Sequence, residues 1–240
     1  MITPTLTSRS EFLAATGGNP FVALTTSARL SAYHRKEAWV WVSDGPWGVV
    51  TAGLGAGADA LALLADLHAA GLTEGGRLHA PRVSRDAVLE RFAAARFGEW
   101  DQLWSTTPPP VVPDEEQVEP LPADAAAEIN ALLDAALPES SSRPGDPGVR
   151  GWHGIWESDR LVAVAADRSA NGVGLLSAIA VAPDHQGRGL GAAVTAALTR
   201  RLFEEYATVS LAVESDNARA IKLYERLGYT SGTARTSFDV

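Results

Sequence analysis

Apolar positions in the second half of the chain recur with two spacings, and each spacing predicts a different element. Short runs rich in Val, Ile, Leu and Trp predict strands, whereas apolar residues every three or four positions predict helices. The predicted helices cover 123–137, 188–206 and 217–228. The predicted strands cover 117–121, 151–158, 160–169, 173–183, 207–215 and 229–240. The second half is therefore expected to fold in the order β-α-β-β-β-α-β-α-β.

The first half of the chain repeats part of this order. Its patterns predict strands at 38–44, 47–53, 76–82 and 99–105, and helices at 54–71 and 84–98. The segment 84–98 also resembles 215–229 in layout, since each has a small polar start, an apolar helix and an aromatic residue beside glycine. We therefore hypothesise a tandem α/β protein, in which each half has a mixed, mainly antiparallel sheet flanked by helices.

Two stretches lack periodic apolar positions. At 105–124 prolines and acids dominate, which is typical of an extended linker, and at 138–151 Ser, Pro, Gly and Asp predict an exposed loop. The first stretch divides the chain into two predicted domains, residues 1–110 and 116–240, joined by a linker at 111–122. The first domain would be a degenerate copy of the fold or an accessory domain that binds substrate.

Composition narrows the class of protein. The 240 residues are 46% hydrophobic, which is enough for packed cores, and the chain shows no run of about 18 apolar residues and no signal-peptide pattern. We therefore expect a cytoplasmic protein that does not enter a membrane. The absence of cysteine excludes disulfides and thiolate nucleophiles, and the five histidines lack metal-ligand spacing, so no metal is expected.

The acidic charge of the chain bears on its partners. A formal net charge of −9 repels nucleic acid over most of the surface, so nucleic acid is not an expected partner. The same charge would attract a cationic substrate, or it serves only to keep the protein in solution. Both interpretations stay open, as does the oligomeric state.

A glycine-rich turn precedes the predicted helix at 188–206. Gly187, Gly189 and Gly191 leave the backbone bare, so N–H groups can approach a ligand closely while the helix N-terminus adds partial positive charge. Such a turn can hold a pyrophosphate, with or without help from Arg188. A tight strand-to-helix connection would also use glycine. A P-loop is excluded, because the chain lacks the spacing of glycines, Lys and Ser or Thr that this loop requires.

Two motifs identify the second half with a known family. Gln186-x-x-Gly189-x-Gly191, after the strand exit "VAP", resembles the acetyl-CoA pyrophosphate motif of the GNAT superfamily of N-acetyltransferases. The segment "LAVESDNARAIKLYERLGY" at 211–229 resembles the second signature of that family, and the two motifs lie in the family's order. The resemblance covers roughly 173–230, with weaker agreement back to 116, and its element order is also similar.

The resemblance implies a fold, a co-substrate and a set of contacts. The fold would be GNAT-like, and the activity would be transfer of an acetyl group from acetyl-CoA to a primary amine of a small molecule or peptide. Backbone groups at the strand end would contact the acetyl group and pantetheine arm, the glycine turn would hold the pyrophosphate, and an Asn would bind the pantetheine or cap its helix. The implied contacts are Ile179, Ala180, Val181, Gln186, Gly187, Arg188, Gly189, Leu190, Gly191, Ala192 and Asn217.

The resemblance also implies catalytic roles. Tyr224 occupies the place of a phenol that donates a proton to the departing thiolate; the alternative is half-buried core packing beside Leu223 and Leu227. The general base is less well defined, because Ala212 stands where the similar ribosomal-protein alanine acetyltransferases have a carboxylate. Glu214, an acid from the first half, a water chain and the terminal carboxylate of Val240 are the candidates. A catalytically silent acyl-CoA sensor is the alternative function.

The first half carries a second glycine turn. Gly53, Gly55 and Gly57 follow a predicted strand but lack the Gln and Arg of the second-half motif, so cofactor binding is expected to be impaired there. The same turn formally matches a dinucleotide fingerprint that ends at Ala58. The further βα repeats of that fold are missing, so we do not expect NAD binding.

Overall fold

The computed structural model describes residues 2–240 and divides the chain into two compact units. The first unit contains Met1–Gln102, Val213–Ala218 and Gly232–Val240, and the second contains Leu103–Ala212 and Arg219–Ser231. Each unit thus takes segments from both halves of the sequence. The domain boundaries predicted at residues 110 and 116 remain a prediction.

Seven helices and eleven strands form the regular structure of residues 2–240. The helices are α1 Arg9–Ala15, α2 Pro20–Leu24, α3 Gly57–Ala69, α4 Arg85–Leu89, α5 Ala126–Ala136, α6 Leu190–Leu202 and α7 Ala218–Arg226. The strands are β1 Leu30–Arg35, β2 Ala38–Gly45, β3 Gly48–Gly55, β4 Arg77–Pro81, β5 Ala95–Ser105, β6 Glu119–Leu121, β7 Gly151–Glu157, β8 Arg160–Asp167, β9 Gly174–Val181, β10 Val209–Glu214 and β11 Ser231–Asp239.

The first unit is built on a mixed sheet. Its strands follow the order β1-β2-β3-β4-β11-β5, with β1, β2 and β3 antiparallel, β3 parallel to β4, and β11 antiparallel to β4. Neighbouring residues of a strand face opposite sides, and β2 illustrates this, since Val40 packs with α3 whereas Trp41 packs with the helical residues Phe12 and Phe21. Both faces of this sheet are therefore covered by helices.

The second unit is built on a sheet of the same kind. Its strands follow the order β10-β9-β8-β7-β6, antiparallel from β6 to β9 and parallel between β9 and β10. In β8, residues 161–166 are all buried, which is typical of a central strand covered on both faces. Each unit thus has an antiparallel meander, a helix and then a parallel strand. The fold is α/β with mixed sheets flanked by helices, as predicted.

The predicted order of elements in the second half is confirmed, whereas the prediction of one helix in the first half is wrong. The helix predicted at 84–98 is helical only at Arg85–Leu89, and residues from Ala95 onward form β5. Phe92 is buried and Phe97 packs on the same core, so the apolar residues serve a turn and a strand. The Ala-rich run favours helix locally, but pairing in the sheet and packing of Phe97 on the core override that preference.

Three short elements near the N-terminus carry no periodic signal strong enough to predict them. These are α1, α2 and β1. Ser8 caps α1 by accepting a hydrogen bond from the Glu11 N–H, and Asn19 caps α2 ahead of Pro20. Helices of five to seven residues depend on such caps and on burial of Phe12 and Phe21, because they have too few turns to show a period.

The two aperiodic stretches are more ordered than their composition suggests. In the linker, the Glu115 carboxylate accepts from Arg200 Nε of α6 at 2.7 Å, and Arg200 also donates to the Pro109 carbonyl at 3.1 Å. In the predicted exposed loop at 138–151, Ser142 is completely buried. Each stretch is therefore fastened to the second unit by specific polar contacts.

Among residues 2–240, none of the helices combines the length and the apolar character that crossing a bilayer requires.

Candidate functional site

The parallel strands β9 and β10 pair over only three residue pairs. Gly174 lies opposite Val209, Leu175 opposite Ser210, and Leu176 opposite Leu211. Beyond these pairs both strands continue, but the ladder between them ends within the described chain. On the side of β10, residues 177–181 of β9 therefore have no strand partner.

A β-bulge shapes the same part of β9. On β8 the register moves from Ala166 opposite Ser177 to Val164 opposite Ala180, so two residues of β9 face one of β8. Ala178 has a φ of 50°, a left-handed conformation that is unfavourable for a residue with a Cβ atom. The bulge turns the backbone just before Ile179, Ala180 and Val181, the three residues predicted to contact the acyl end of the donor.

Residues 187–191, which run from the loop after β9 into α6, contain three glycines, and we call these residues the cradle. A short 3₁₀ turn at Pro183–His185 leads into Gly187 and Gly189, which have φ angles of 87° and 92°. A Cβ atom at either glycine would meet no other atom within 4 Å, whereas one at Gly191 would lie 3.5 Å from the Val181 side chain. The two left-handed glycines therefore border free space, as a ligand-binding turn requires.

The N-terminus of α6 lies directly after this loop. Leu190 and Gly191 are its first residues, and N–H groups in the first turn have no partner within a helix. The Ala192 N–H is different, because it donates to the Gly189 carbonyl at 2.9 Å. Of the predicted phosphate contacts, the Ala192 amide is thus already engaged within the helix.

The polar side chains of the loop have partners of their own. Gln186 Nε2 donates to the Val181 carbonyl at 3.4 Å, which ties the loop to the strand end. Arg188 Nη2 donates to Glu157 Oε1 at 2.5 Å, and His185 Nε2 lies 3.0 Å from the other carboxylate oxygen. The Arg188 hydrogen bond lowers the pKa of Glu157. The charge of Arg188 is therefore balanced by a carboxylate next to the cradle.

The glycine turn of the first unit is filled by its own chain. A Cβ atom at Gly55 would lie 1.9 Å from the Glu37 carbonyl oxygen, and one at Gly57 would lie 2.9 Å from the Val83 side chain. These glycines permit close packing of backbone on backbone. The space that borders Gly187 and Gly189 in the second unit has no counterpart at Gly55 and Gly57.

Tyr224 lies in α7 and is 7% exposed. Burial raises the pKa of its phenol to about 12, so the hydroxyl is protonated at neutral pH. Its ring meets the Tyr229 ring edge to face with 6.2 Å between centroids, and the Tyr229 hydroxyl lies 2.6 Å from Thr199 Oγ1 of α6. In the same helix, Leu223 Cδ1 lies 3.7 Å from the Cβ position of Gly191. Packing thus connects α7 to the start of α6.

Glu214 and Asn217 fall in the first unit, at the end of β10. The side chain of Glu214 reaches solvent, yet partial burial raises the pKa of its carboxyl group, and the charge of Asp216 adds to this effect while Arg77 opposes it. The Asn217 N–H donates to the Glu214 carbonyl at 3.0 Å. A raised pKa makes Glu214 a stronger base than an ordinary carboxylate.

The first unit also places a first-half acid beside this strand end. The Ser215 N–H donates to the Glu99 carbonyl at 3.0 Å, and Arg82 pairs with the Glu99 carboxylate at 2.9 Å while donating to Ser215 Oγ. The Val240 N–H donates to the Gly76 carbonyl, at the start of β4. No sequence signal connects Glu99 to Ser215, because the contact depends on strand pairing between distant segments. Among residues 2–240, no cluster of three or more potential metal ligands occurs.

Comparison with known proteins gives similarity of sequence in one region and of fold over most of the chain. The model of the FR47-like protein family matches residues 153–237. A mycothiol acetyltransferase of Mycobacterium leprae (strain Br4923) is 44% identical over 73 residues, which is 28% of this chain and 24% of that protein. A mycothiol acetyltransferase of Mycobacterium ulcerans (strain Agy99) is 32% identical over 114 residues, covering 44% of this chain and 33% of that protein. The matches thus span between a quarter and a third of these relatives.

Two solved structures resemble the whole chain in fold. A GCN5-related N-acetyltransferase from Kribbella flavida has a TM-score of 0.54 at 19% identity, over 95% of this chain and 94% of its own. An acetyltransferase of the GNAT family from Colwellia psychrerythraea has a TM-score of 0.53 at 13% identity, with all of both chains covered. At these identities the likeness concerns the fold.

Proposed function

We propose that the protein is an N-acetyltransferase of the GNAT superfamily that transfers an acetyl group from acetyl-CoA to a primary amine. The match of the FR47-like family model to residues 153–237 and the similarity to mycothiol acetyltransferases support this proposal. The amine would belong to a small molecule or a peptide, and the reaction would take place in the cytoplasm. The observation that carries this proposal is the open space beside Gly187 and Gly189, in the loop that follows β9, together with the end of the β9–β10 ladder at Leu176. In this proposal a pyrophosphate accepts hydrogen bonds from amides of the glycine turn, and a thin pantetheine arm lies between two strands that have stopped pairing.

The reaction needs three things from the protein. The amine must be neutral when it attacks the thioester carbonyl, the oxyanion that forms must be stabilised, and the thiolate must receive a proton. We propose that backbone N–H groups near Val181, where β9 has no β10 partner, stabilise the oxyanion, and that the protonated phenol of Tyr224 donates to the thiolate. Glu214 remains a base candidate that the sequence offers, and the raised pKa of its carboxyl group suits a base.

We further propose that the first unit is a degenerate copy of the same fold. The meander, helix and parallel strand of β1–β4 with α3 follow the same order as β7–β10 with α6. Because Gly55 and Gly57 are packed against Glu37 and Val83, the copy lacks space for a second pyrophosphate. We expect calorimetry to give one acetyl-CoA per chain, whereas two sites would contradict the assignment of the first unit.

The substitution Gly189→Ala tests the cradle directly. The new methyl group would enter the space that the phosphate is proposed to occupy, and a left-handed φ is strained for alanine. We expect the Kd for CoA to rise about tenfold, which corresponds to about 1.4 kcal/mol. The matched control is Gly172→Ala, because Gly172 also has a positive φ, of 85°, and open space around it but lies in the turn before β9. Equal effects of the two substitutions would show that strain alone is being measured.

A catalytically silent acyl-CoA sensor is the second candidate, and Ala212 is the observation in its favour. This residue stands, exposed, where the similar ribosomal-protein alanine acetyltransferases carry their base. Both candidates bind acetyl-CoA, so the discriminating measurement is release of free CoA thiol in the presence of a panel of amines. The panel includes mycothiol-related amines, because the relatives are named mycothiol acetyltransferases. Turnover with any amine excludes the sensor, and binding without turnover supports it.

A further inference from the structure

The loop at 138–151 contains a buried hydroxyl that has no part in the proposed chemistry. Ser142 is completely buried, although it lies in a segment of Ser, Pro, Gly and Asp. Its Oγ lies 2.8 Å from Ser177 Oγ of β9. A buried hydroxyl is costly unless it is hydrogen-bonded, so this contact fixes the loop against the strand.

A buried guanidinium lies behind this contact. Arg168 is 6% exposed, and burial lowers its pKa. Its Nη1 donates to Ser142 Oγ at 2.9 Å and to the Ser141 carbonyl at 3.3 Å, and it lies 3.7 Å from the Asp146 carboxylate. Because Arg168 donates to Ser142, the Ser142 hydroxyl can donate onward to Ser177, and a charged donor at one end strengthens such a chain.

The end of this chain is the residue that precedes the strained position. Ser177 directly precedes Ala178, the non-glycine residue with a φ of 50° in the β9 bulge. A strained backbone of this kind persists only when its surroundings fix it. The Arg168–Ser142–Ser177 chain ends in a side-chain contact at the residue beside this bulge, and residues 179–181 follow the bulge directly.

We propose that Arg168, Ser142 and Ser177 are positioning residues for acyl transfer, which hold the β9 bulge so that its amides are aimed at the developing oxyanion. This inference rests on the proposed function. It makes the loop at 138–151 a structural support of the acyl end of the site, distinct from the phosphate cradle at 187–191. Loss of the chain should therefore impair the chemical step more than donor binding.

The variants Ser142→Ala and Ser177→Ala test this inference. For each we expect kcat to fall about tenfold while KM for acetyl-CoA changes less than twofold, because the cradle is untouched. The double variant should be no slower than either single one, since both substitutions break the same chain. Ser177→Thr keeps a hydroxyl on a strand and should retain kcat. The control is Ser141→Ala, which keeps the backbone carbonyl that accepts from Arg168 and should behave as wild type.

Amide hydrogen exchange gives a second measurement that does not depend on turnover. In Ser177→Ala, which leaves the contact between Arg168 and Ser142 in place, the amides at 178–181 should exchange faster while those at 187–191 do not change. Unchanged kcat and unchanged exchange in both single variants would overturn the inference, as would equal losses at both segments with a parallel rise in KM. If wild-type protein released no thiol with any amine, the proposed function would fail, and the exchange pattern alone would decide the positioning role.

Discussion

Replacing Tyr224 by phenylalanine is expected to lower kcat by about 10²-fold, the scale of a lost general acid. The Kd for acetyl-CoA should stay within about twofold, because the ring remains and only the hydroxyl is removed. Burial holds the pKa of Tyr224 at about 12, so the wild-type phenol stays protonated across the usable pH range. Loss of the hydroxyl therefore removes a group that carries its proton over this whole range and can donate it. The measurement is steady-state release of CoA thiol at saturating acetyl-CoA.

The control for this variant is Tyr206→Phe. Tyr206 also belongs to the second unit, and its hydroxyl contacts Arg150 at an exposed position. This change should leave kcat as in wild type. A Tyr224→Phe enzyme with unaltered kcat would remove the phenol from the mechanism, and an increase in Kd with unaltered kcat would reassign it to donor binding.

Acidification is expected to destabilise the first unit through His79. The Trp100 Nε1–H donates to Ser237 Oγ at 2.7 Å, so the Ser237 hydroxyl can donate to His79 Nδ1, also at 2.7 Å. In this direction the imidazole accepts at Nδ1 and is neutral. Burial lowers the pKa of His79 to about 3, and the positive charges of Arg235 and Arg77 add to the effect while Asp239 opposes it.

The direction of the pH dependence follows from proton binding. Between pH 6.5 and pH 3 the unfolded chain binds a proton at His79 and the folded protein does not, so the free energy of unfolding falls as the pH is lowered through this window. The slope from this one group is at most about 1.4 kcal/mol per pH unit. Over the whole window the loss amounts to a few kcal/mol, a large share of the stability of an ordinary domain.

The variant His79→Asn tests this expectation, because an amide oxygen can accept from Ser237 but does not titrate in this range. Denaturant melts between pH 4 and pH 7 should give a flatter pH dependence for the variant than for wild type. His34→Asn, at an exposed histidine of the same unit, serves as control and should follow wild type. If His79→Asn were as steep as wild type, other groups would be responsible for the acid sensitivity.

Local pattern was sufficient to predict most of the second unit. The glycine turn, the strand before it and the helix after it are adjacent in sequence, so their apolar spacing and glycines report directly on structure. The order of β6–β11 and α5–α7 is confirmed for this reason. The helix predicted from local pattern at 84–98 is wrong. Its alanines favour helix, but Ala95 begins β5, in which Phe97 packs on the core.

Contacts between distant segments carried no signal in the sequence. The Arg188 partner Glu157 is 31 residues away, Ser142 and Ser177 are 35 apart, and Arg82 and Ser215 are 133 apart. Each pair depends on how strands and loops are placed, which periodicity does not encode. Only the structure shows that one glycine turn is filled and the other is open. Gly55 and Gly189 both lie in glycine-rich turns, but Gly55 is packed against the Glu37 carbonyl whereas Gly189 borders open space.

The pairing of β11 with β4 has a consequence for biosynthesis. Arg235 lies opposite Pro81, and the neighbouring contact between Arg82 and Arg235 joins residues 153 positions apart. A ribosome therefore completes β4 long before its partner strand emerges, and during that interval the edge of β4 is open to wrong pairing. The first unit is thus translated first but cannot complete its fold until β11 has been made. Slow translation, or a chaperone that shields the edge of β4, would favour its correct folding.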